Sequence, residues 1–283
     1  MATTVPSLSS SHRLPQYAEQ LAAFHRAFAY ELKAIVASLP LSPHMRVLDV
    51  GCGDGFYLGL FAERLLSPGG VIGLDINPAF LAEARNNPAL ANARCEVELV
   101  RGEVKDTGQQ RDCDLVWCAQ SLYSLPEPVS ALRQMSAALR PGGIVAVLEN
   151  DTLHQLLLPW PSHLELALRA AEYASLCDES KRPSKFYVGR RLPSVFAAAG
   201  LEPLSFRTQC IDRRAPLDGD LASFLQSYLE RLSERVSPRL DSALRAEFVA
   251  LIDPQGSSYL LNDPYFTMSW LNVLVWGRRP LES

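Results

Sequence analysis

The 283-residue chain has no pair of cysteines at C-x-x-C spacing, no apolar run of membrane-span length and no excess of basic charge. Each absence removes a class of protein. Its six cysteines, at 52, 95, 113, 118, 177 and 210, have no histidine nearby to complete a zinc-ligand pattern, so they read as reduced thiols of a cytoplasmic protein, and no metal is expected. The longest apolar stretches are of strand length, far short of the roughly 20 residues a spanning helix needs. Lys and Arg number 27 against 31 Asp and Glu, a net charge of −4. The basic residues stand in scattered pairs such as Arg190-Arg191, Arg213-Arg214 and Arg278-Arg279, which argues against a surface that tracks nucleic-acid phosphates. The opening MATTVPSLSSSHRLP lacks the apolar region of a secretory signal and reads as a frayed tail, with an organellar transit peptide as the alternative.

The chain is long enough to bury a core without disulfides or metals. Apolar residues at helical spacing from Tyr17 to Leu39 predict a single helix, ended by Pro40 and Pro43. Strands are expected at Arg46–Val50, Val71–Leu74, Cys95–Val100, Asp114–Cys118 and Ile144–Leu148, with helices at Phe56–Leu66, Pro78–Asn86 and Pro128–Leu139. Such alternation describes crossover units that build a parallel sheet, which binds ligands at the carboxyl ends of its strands. Beyond Glu149 the pattern loosens. Helices are expected at Ser162–Leu176, Leu192–Ala199, Leu217–Val236 and Leu240–Ile252, and strands at Leu204–Ile211 and Thr267–Trp276.

The strongest local signal is Val47-Leu-Asp-Val-Gly51-Cys-Gly53-Asp-Gly55, set between a strand and a helix. Glycines there permit turn conformations and a close backbone approach to a ligand. The G-x-G-x-G spacing differs from the G-x-G-x-x-G of dinucleotide binders. Asp75, at the end of the second strand, is placed to accept both hydroxyls of a ribose, which implies an adenosine-containing ligand.

Over roughly residues 44–150 the chain resembles the class I S-adenosylmethionine-dependent methyltransferases. Four elements carry the resemblance in order: VLDVGCGDG, GLDINP, CDLVWCAQSLYSLPEP and LRPGGIVAVLEND. It implies a Rossmann-like, doubly wound, mostly parallel seven-stranded α/β sheet with an antiparallel last strand and a helical cap. The expected division is an N-terminal helical lid segment over 1–40, a cofactor-binding core over 41–150, and a remainder over 151–283 that completes the sheet and carries cap insertions. By the same resemblance, backbone around Asp49, Gly51 and Ala119 holds the methionine part of S-adenosylmethionine, Gly53 belongs to the cofactor-binding loop, Asp75 takes the ribose, and Ile76 stacks on adenine. Glu103 inherits the contact to the adenine amine from the usual Gly-Asp-Ala acid, and the Val104 N–H faces adenine N1. A solvated loop acid is the other reading of Glu103, and Cys52 reads as a small filler.

Methyl transfer needs a nucleophile held in line with the methyl carbon, and a base only when the acceptor must lose a proton. No base is plain in the sequence. His154 and His163 follow the fifth strand, where each is a candidate base or an ordinary surface histidine. Tyr123 stands where related small-molecule enzymes often carry His, Asp or Asn, and either orients a substrate or covers the pocket. Tyr17, Phe24 and Trp160 are lid aromatics or core. Tyr187, and Arg190 within a Val-Gly-Arg-Arg-Leu stretch that resembles one in quinone-type methyltransferases, are substrate candidates. Arg190 meets either an acidic substrate group or a carboxylate of the cap. The reading is methyl transfer to O, N or C of a moderately apolar small molecule. RNA or protein methylation, and cofactor binding without turnover, stand as alternatives. A homodimer through the Leu217–Val236 helix is left open.

Overall fold

In the computed structural model, which describes residues 13–180 and 182–281, five parallel strands build the centre of one sheet. They are β1 (Arg46–Val50), β2 (Gly70–Asp75), β3 (Glu96–Arg101), β4 (Cys113–Ala119) and β5 (Leu139–Glu149). β1, β2 and β4 read as nearly unbroken apolar runs because helices cover both of their faces. The order is β3-β2-β1-β4-β5, followed by β8 (Thr267–Arg278), which runs antiparallel to β5. β7 (Glu202–Arg214) pairs antiparallel along the whole of β8. The sheet has eight strands where seven were expected. The additional one, β6 (Leu156–Leu157), is a two-residue pairing with Trp270 and Ser269, too short to register as a hydrophobic pattern.

The expected single N-terminal helix is two, α1 (Ala18–Ala27) and α2 (Ala29–Ala37), separated at Phe28. Phe28 leaves the helical region with φ −118° and ψ 15°, and its fully buried ring packs near Phe24, Phe224 and Trp270. Packing sets this break, since phenylalanine has no intrinsic helix-breaking chemistry. The other helices are α3 (Phe56–Ala62), α4 (Pro78–Arg85), α5 (Pro88–Ala91), α6 (Pro128–Ala137), α7 (Ser162–Glu179), α8 (Leu192–Ala198), α9 (Gly219–Val236) and α10 (Ser242–Ile252). Their starts are written in the sequence. Asn77 accepts from the Ala79 N–H ahead of Pro78, Asp218 from Leu221, and Asp241 from Ala243 and Leu244.

One apolar layer packs α1, α2, α3 and α9 on a face of the sheet, and a second packs α6 and α8 on the other. The cap has a smaller core of its own, built from Leu164, Leu168, Leu232, Val236, Leu240 and Phe248. The apolar stripe of α9 is buried within the chain against α1 and α7, so its periodicity is satisfied without a second copy. Among the described residues, no helix is long and apolar enough to cross a membrane.

Candidate cofactor and acceptor site

Strand order reverses between β1 and β4, and the crevice this opens at their carboxyl ends is where doubly wound sheets bind ligands. The loop from β1 to α3 enters that crevice. Gly51, Gly53 and Gly55 all have left-handed φ, at +76°, +52° and +78°. A Cβ on Gly51 would stand 2.7 Å from the Ser121 hydroxyl at the end of β4, so the two loops meet only because that residue is glycine.

The loop is tied to β2 by the Gly51 and Cys52 N–H groups, which donate to the Leu74 carbonyl at 2.8 and 3.1 Å. Asp75 completes the tie: its Oδ2 accepts from the Gly53 N–H at 3.0 Å and its Oδ1 from the Asn77 N–H at 2.8 Å. A carboxylate oxygen can accept more than one hydrogen bond, so Asp75 keeps capacity for ligand hydroxyls while its orientation is fixed by the backbone. Burial raises its pKa, against the lowering effect of those N–H donors.

Asp49, 1% exposed at the end of β1, has no hydrogen-bond partner for Oδ2. Desolvation pushes its pKa well up, and the charges of Asp75 and Asp54 add to the shift. A buried carboxyl with one partnerless oxygen, among two further acids, is costly when ionised alone and complementary to a cation. The residues therefore fit a ligand that carries both a positively charged group and vicinal hydroxyls.

Ile76 is half-buried next to Asp75, and Gly102 is drawn to it by an N–H bond to the Asp75 carbonyl at 3.1 Å. That brings the end of β3, with Glu103 and Val104, to the outer rim. Glu103 is exposed: its carboxylate lies 3.0 Å from Lys105, and its N–H donates to Asp106 at 2.8 Å to start a 3-10 turn.

On the opposite side, Ala119 and Ser121 close β4, and Tyr123 follows, half-buried, with its ring 6.4 Å from Phe186. Its N–H donates at 3.1 Å to Glu149, a residue the sequence reading passed over as the end of an ordinary strand. Glu149 is fully buried. Its carboxyl is pushed up to about 8 by that burial, and Oε2 has no partner. The acid closing an otherwise apolar strand in Val147-Leu-Glu149 was the available signal. Burial, followed by the Glu149 charge, pushes the Tyr123 phenol up to about 12. Tyr17 comes from the N-terminal segment with its ring 5.9 Å from Phe80, and its phenol is raised by burial and by Asp75. The Arg231 charge on α9 acts on both phenols in the opposite sense.

Other candidates lie elsewhere or are already engaged. Arg190 ion-pairs with Asp151, a carboxylate after β5, and lies 5.0 Å over the Tyr187 ring. Its Nη2 is 3.1 Å from His154 Nδ1, so His154, exposed and with its pKa lowered by burial and by Arg190, belongs to this knot and offers no free base at Nδ1. His163 bridges α7 to α10 through Glu247 at 2.8 Å. Trp160 packs on Phe248 at 5.8 Å, inside the cap rather than beside Tyr123. Phe24 is core. Cys52 is buried, and desolvation followed by Asp49 raises its thiol pKa, consistent with a filler and not a nucleophile. Among the described residues no cluster of His, Cys, Asp and Glu could hold a metal ion.

A doubly wound sheet with a G-x-G-x-G loop at its switch point and an acid closing β2 is the arrangement that the resemblance to class I methyltransferases implies. Residues 41–199 match the family described as the methyltransferase domain, and the chain belongs to that family. It is similar to a trans-aconitate 2-methyltransferase of Methylobacterium nodulans, 33% identical over 130 residues that make up 46% of this chain and 45% of the relative. A ubiquinone biosynthesis O-methyltransferase of Bordetella avium is 32% identical over 168 residues, 57% of this chain and 64% of that one. The chain thus spans about half to two thirds of the length of these relatives. Among solved structures, an S-adenosylmethionine-dependent methyltransferase from Thiobacillus denitrificans, in complex with S-adenosyl-L-homocysteine, shares the fold with a TM-score of 0.51. It is 19% identical, over 92% of this chain and 98% of that one.

Proposed function

We propose that this protein transfers a methyl group from S-adenosylmethionine to a small molecule with a substantial apolar body. The observation that carries the reading is the buried, partnerless Asp49 oxygen beside the glycine loop, with Asp75 aligned by two backbone donors at the neighbouring strand end. When bound, S-adenosylmethionine supplies an electrophilic methyl on a sulfonium. Asp49, Gly51, Gly53 and Ala119 would hold its amino-acid part, with the Asp49 carboxylate answering the ammonium. Asp75 would take the ribose, while Ile76, Glu103 and Val104 would frame the adenine.

The acceptor is proposed to sit between Tyr17 and Tyr123, under α1 and α9. With its pKa near 12 the Tyr123 phenol stays protonated at neutral pH, so it donates a hydrogen bond and does not take a proton. Such a site orients an acceptor that arrives already nucleophilic, such as an ionised oxygen, and catalysis rests on alignment and on exclusion of water. The relatives' names, trans-aconitate 2-methyltransferase and ubiquinone biosynthesis O-methyltransferase, support a small-molecule reading. Incubation with S-adenosylmethionine and a panel of carboxylic and phenolic acids, read by mass spectrometry, tests it. A methylated acid is expected, reduced at least tenfold in Tyr123→Phe. Methylation confined to RNA or to protein side chains would overturn the assignment.

A further inference from the structure

α1 touches the glycine loop through one polar contact that nothing above uses. His25, 6% exposed, places Nδ1 3.1 Å from Asp54 Oδ2. An ionised carboxylate only accepts, so Nδ1 carries the proton and donates. The imidazole is further fixed by stacking on Phe56, with centroids 4.2 Å apart and planes 11° from parallel, and by the edge of Tyr57 at 5.6 Å. The second Asp54 oxygen accepts from the Phe56 N–H at 3.1 Å. Asp54 therefore joins three things: the loop that contains Gly53 and Gly55, the first turn of α3, and α1.

The same helix covers the loop one turn earlier, where the Leu21 side chain lies 3.6 Å from the place a Cβ on Gly53 would occupy. The chain entering α1 also reaches α4, through the Asn77 amide to the Arg13 carbonyl at 3.5 Å and through Tyr17 against Phe80. α1 thus spans the glycine loop and the end of β2, with His25 its only hydrogen-bonded side chain on the loop among those described.

We propose that His25 is a positioning residue for the cofactor: through Asp54 it sets the conformation of the Gly51–Gly55 loop and latches α1 over it. This rests on the cofactor reading above and adds to it a residue of the N-terminal segment. If the latch sets the loop, breaking it weakens cofactor binding even with no acceptor present, so the deciding readout is the cofactor Kd: Tyr17, at the start of the same helix, lines the proposed acceptor site, and turnover would report on both.

The test measures S-adenosyl-L-homocysteine binding by calorimetry, and cofactor KM and kcat, for the full chain and for His25→Ala, His25→Asn and Asp54→Asn. The Asn side chain at 25 retains a donor near the Nδ1 position. His25→Ala is expected to raise the S-adenosyl-L-homocysteine Kd and the cofactor KM about tenfold, Asp54→Asn to weaken binding in the same direction, and His25→Asn to restore most of the affinity. A role confined to packing would lower the melting temperature of His25→Ala and leave Kd unchanged, which overturns the proposal. Should His25→Ala not fold, hydrogen exchange on the unaltered protein decides. Ligand is expected to protect 18–27 together with 51–56, and protection of 51–56 alone overturns the latch. Absence of binding by the unaltered, folded protein would instead remove the cofactor reading itself.

Discussion

At the carboxyl ends of β1 and β2, three left-handed glycines and two buried aspartates meet within one loop and one strand end. In the cap, by contrast, the polar contacts of α7, α9 and α10 include ion pairs that range from the solvated His163–Glu247 to the buried Glu172, which Arg169 and Arg235 flank. The first region is tightly constrained: its three glycines hold left-handed φ, and a Cβ on Gly51 or Gly55 would stand under 3.0 Å from a neighbouring side chain. The second is a small apolar core joined by side-chain ion pairs, with no left-handed glycine among the described residues of its helices.

The contrast is sharpest at Asp75. Asp75→Ala removes the acceptor for two backbone N–H groups and for the ribose, and cofactor affinity is expected to fall roughly 100-fold, about 2.7 kcal/mol at 25 °C. Titration calorimetry reads it, and an unchanged Kd would break the proposed difference between the regions.

Glu149 gives the next largest effect, visible in stability. Its folded pKa, about 8, lies above its ordinary 4.5, so the folded protein keeps a proton that the unfolded chain releases. The associated stability is present below about pH 4.5 and is lost progressively as pH rises to about 8, on the order of a few kcal/mol in all. Glu149→Gln should flatten that part of the pH dependence in urea unfolding. An unaltered slope would show that Glu149 does not titrate there.

Gly51→Ala forces a left-handed φ on an L-residue and drives a methyl against Ser121. A loss of roughly 2 kcal/mol is expected from the unfolding midpoint, accompanied by weaker cofactor binding. In the cap, Trp160→Ala should cost stability of similar size, about 2 kcal/mol, through lost packing on Phe248, with cofactor Kd unchanged. Loss of cofactor affinity in that variant would mean that the two regions are coupled. His163→Ala should change stability by less than about 1 kcal/mol, since its ion pair is largely solvated.

What could be read from the sequence follows the same divide. Gly51, Gly53, Gly55 and the acid at Asp75 were legible because a left-handed turn and a strand-end carboxylate each admit few residue types. Asn77, Asp218 and Asp241 carry a signal of the same kind that went unused: the last two helices were expected from Leu217 and Leu240, one residue before their caps. The break at Phe28 was not legible, because tertiary packing makes it and phenylalanine carries no turn signal. β6 was missed because two residues show no alternation. Glu149 was hidden at the end of an apolar run, and His25 within a helical pattern whose apolar members drew the attention. Arg190 and Trp160 were recognised as side chains with work to do. Their partners, Asp151 and Phe248, lie far along the chain, and single-sequence periodicity cannot tell a pocket wall from a cap's own core.

The most direct test of the central claim is calorimetric titration of the purified full chain with S-adenosylmethionine, run beside Asp75→Ala shown to be folded. The account predicts saturable one-site binding in the first and its near-complete loss in the second. A folded protein that takes up no S-adenosylmethionine, or an Asp75→Ala variant that binds as tightly as the original, would contradict it.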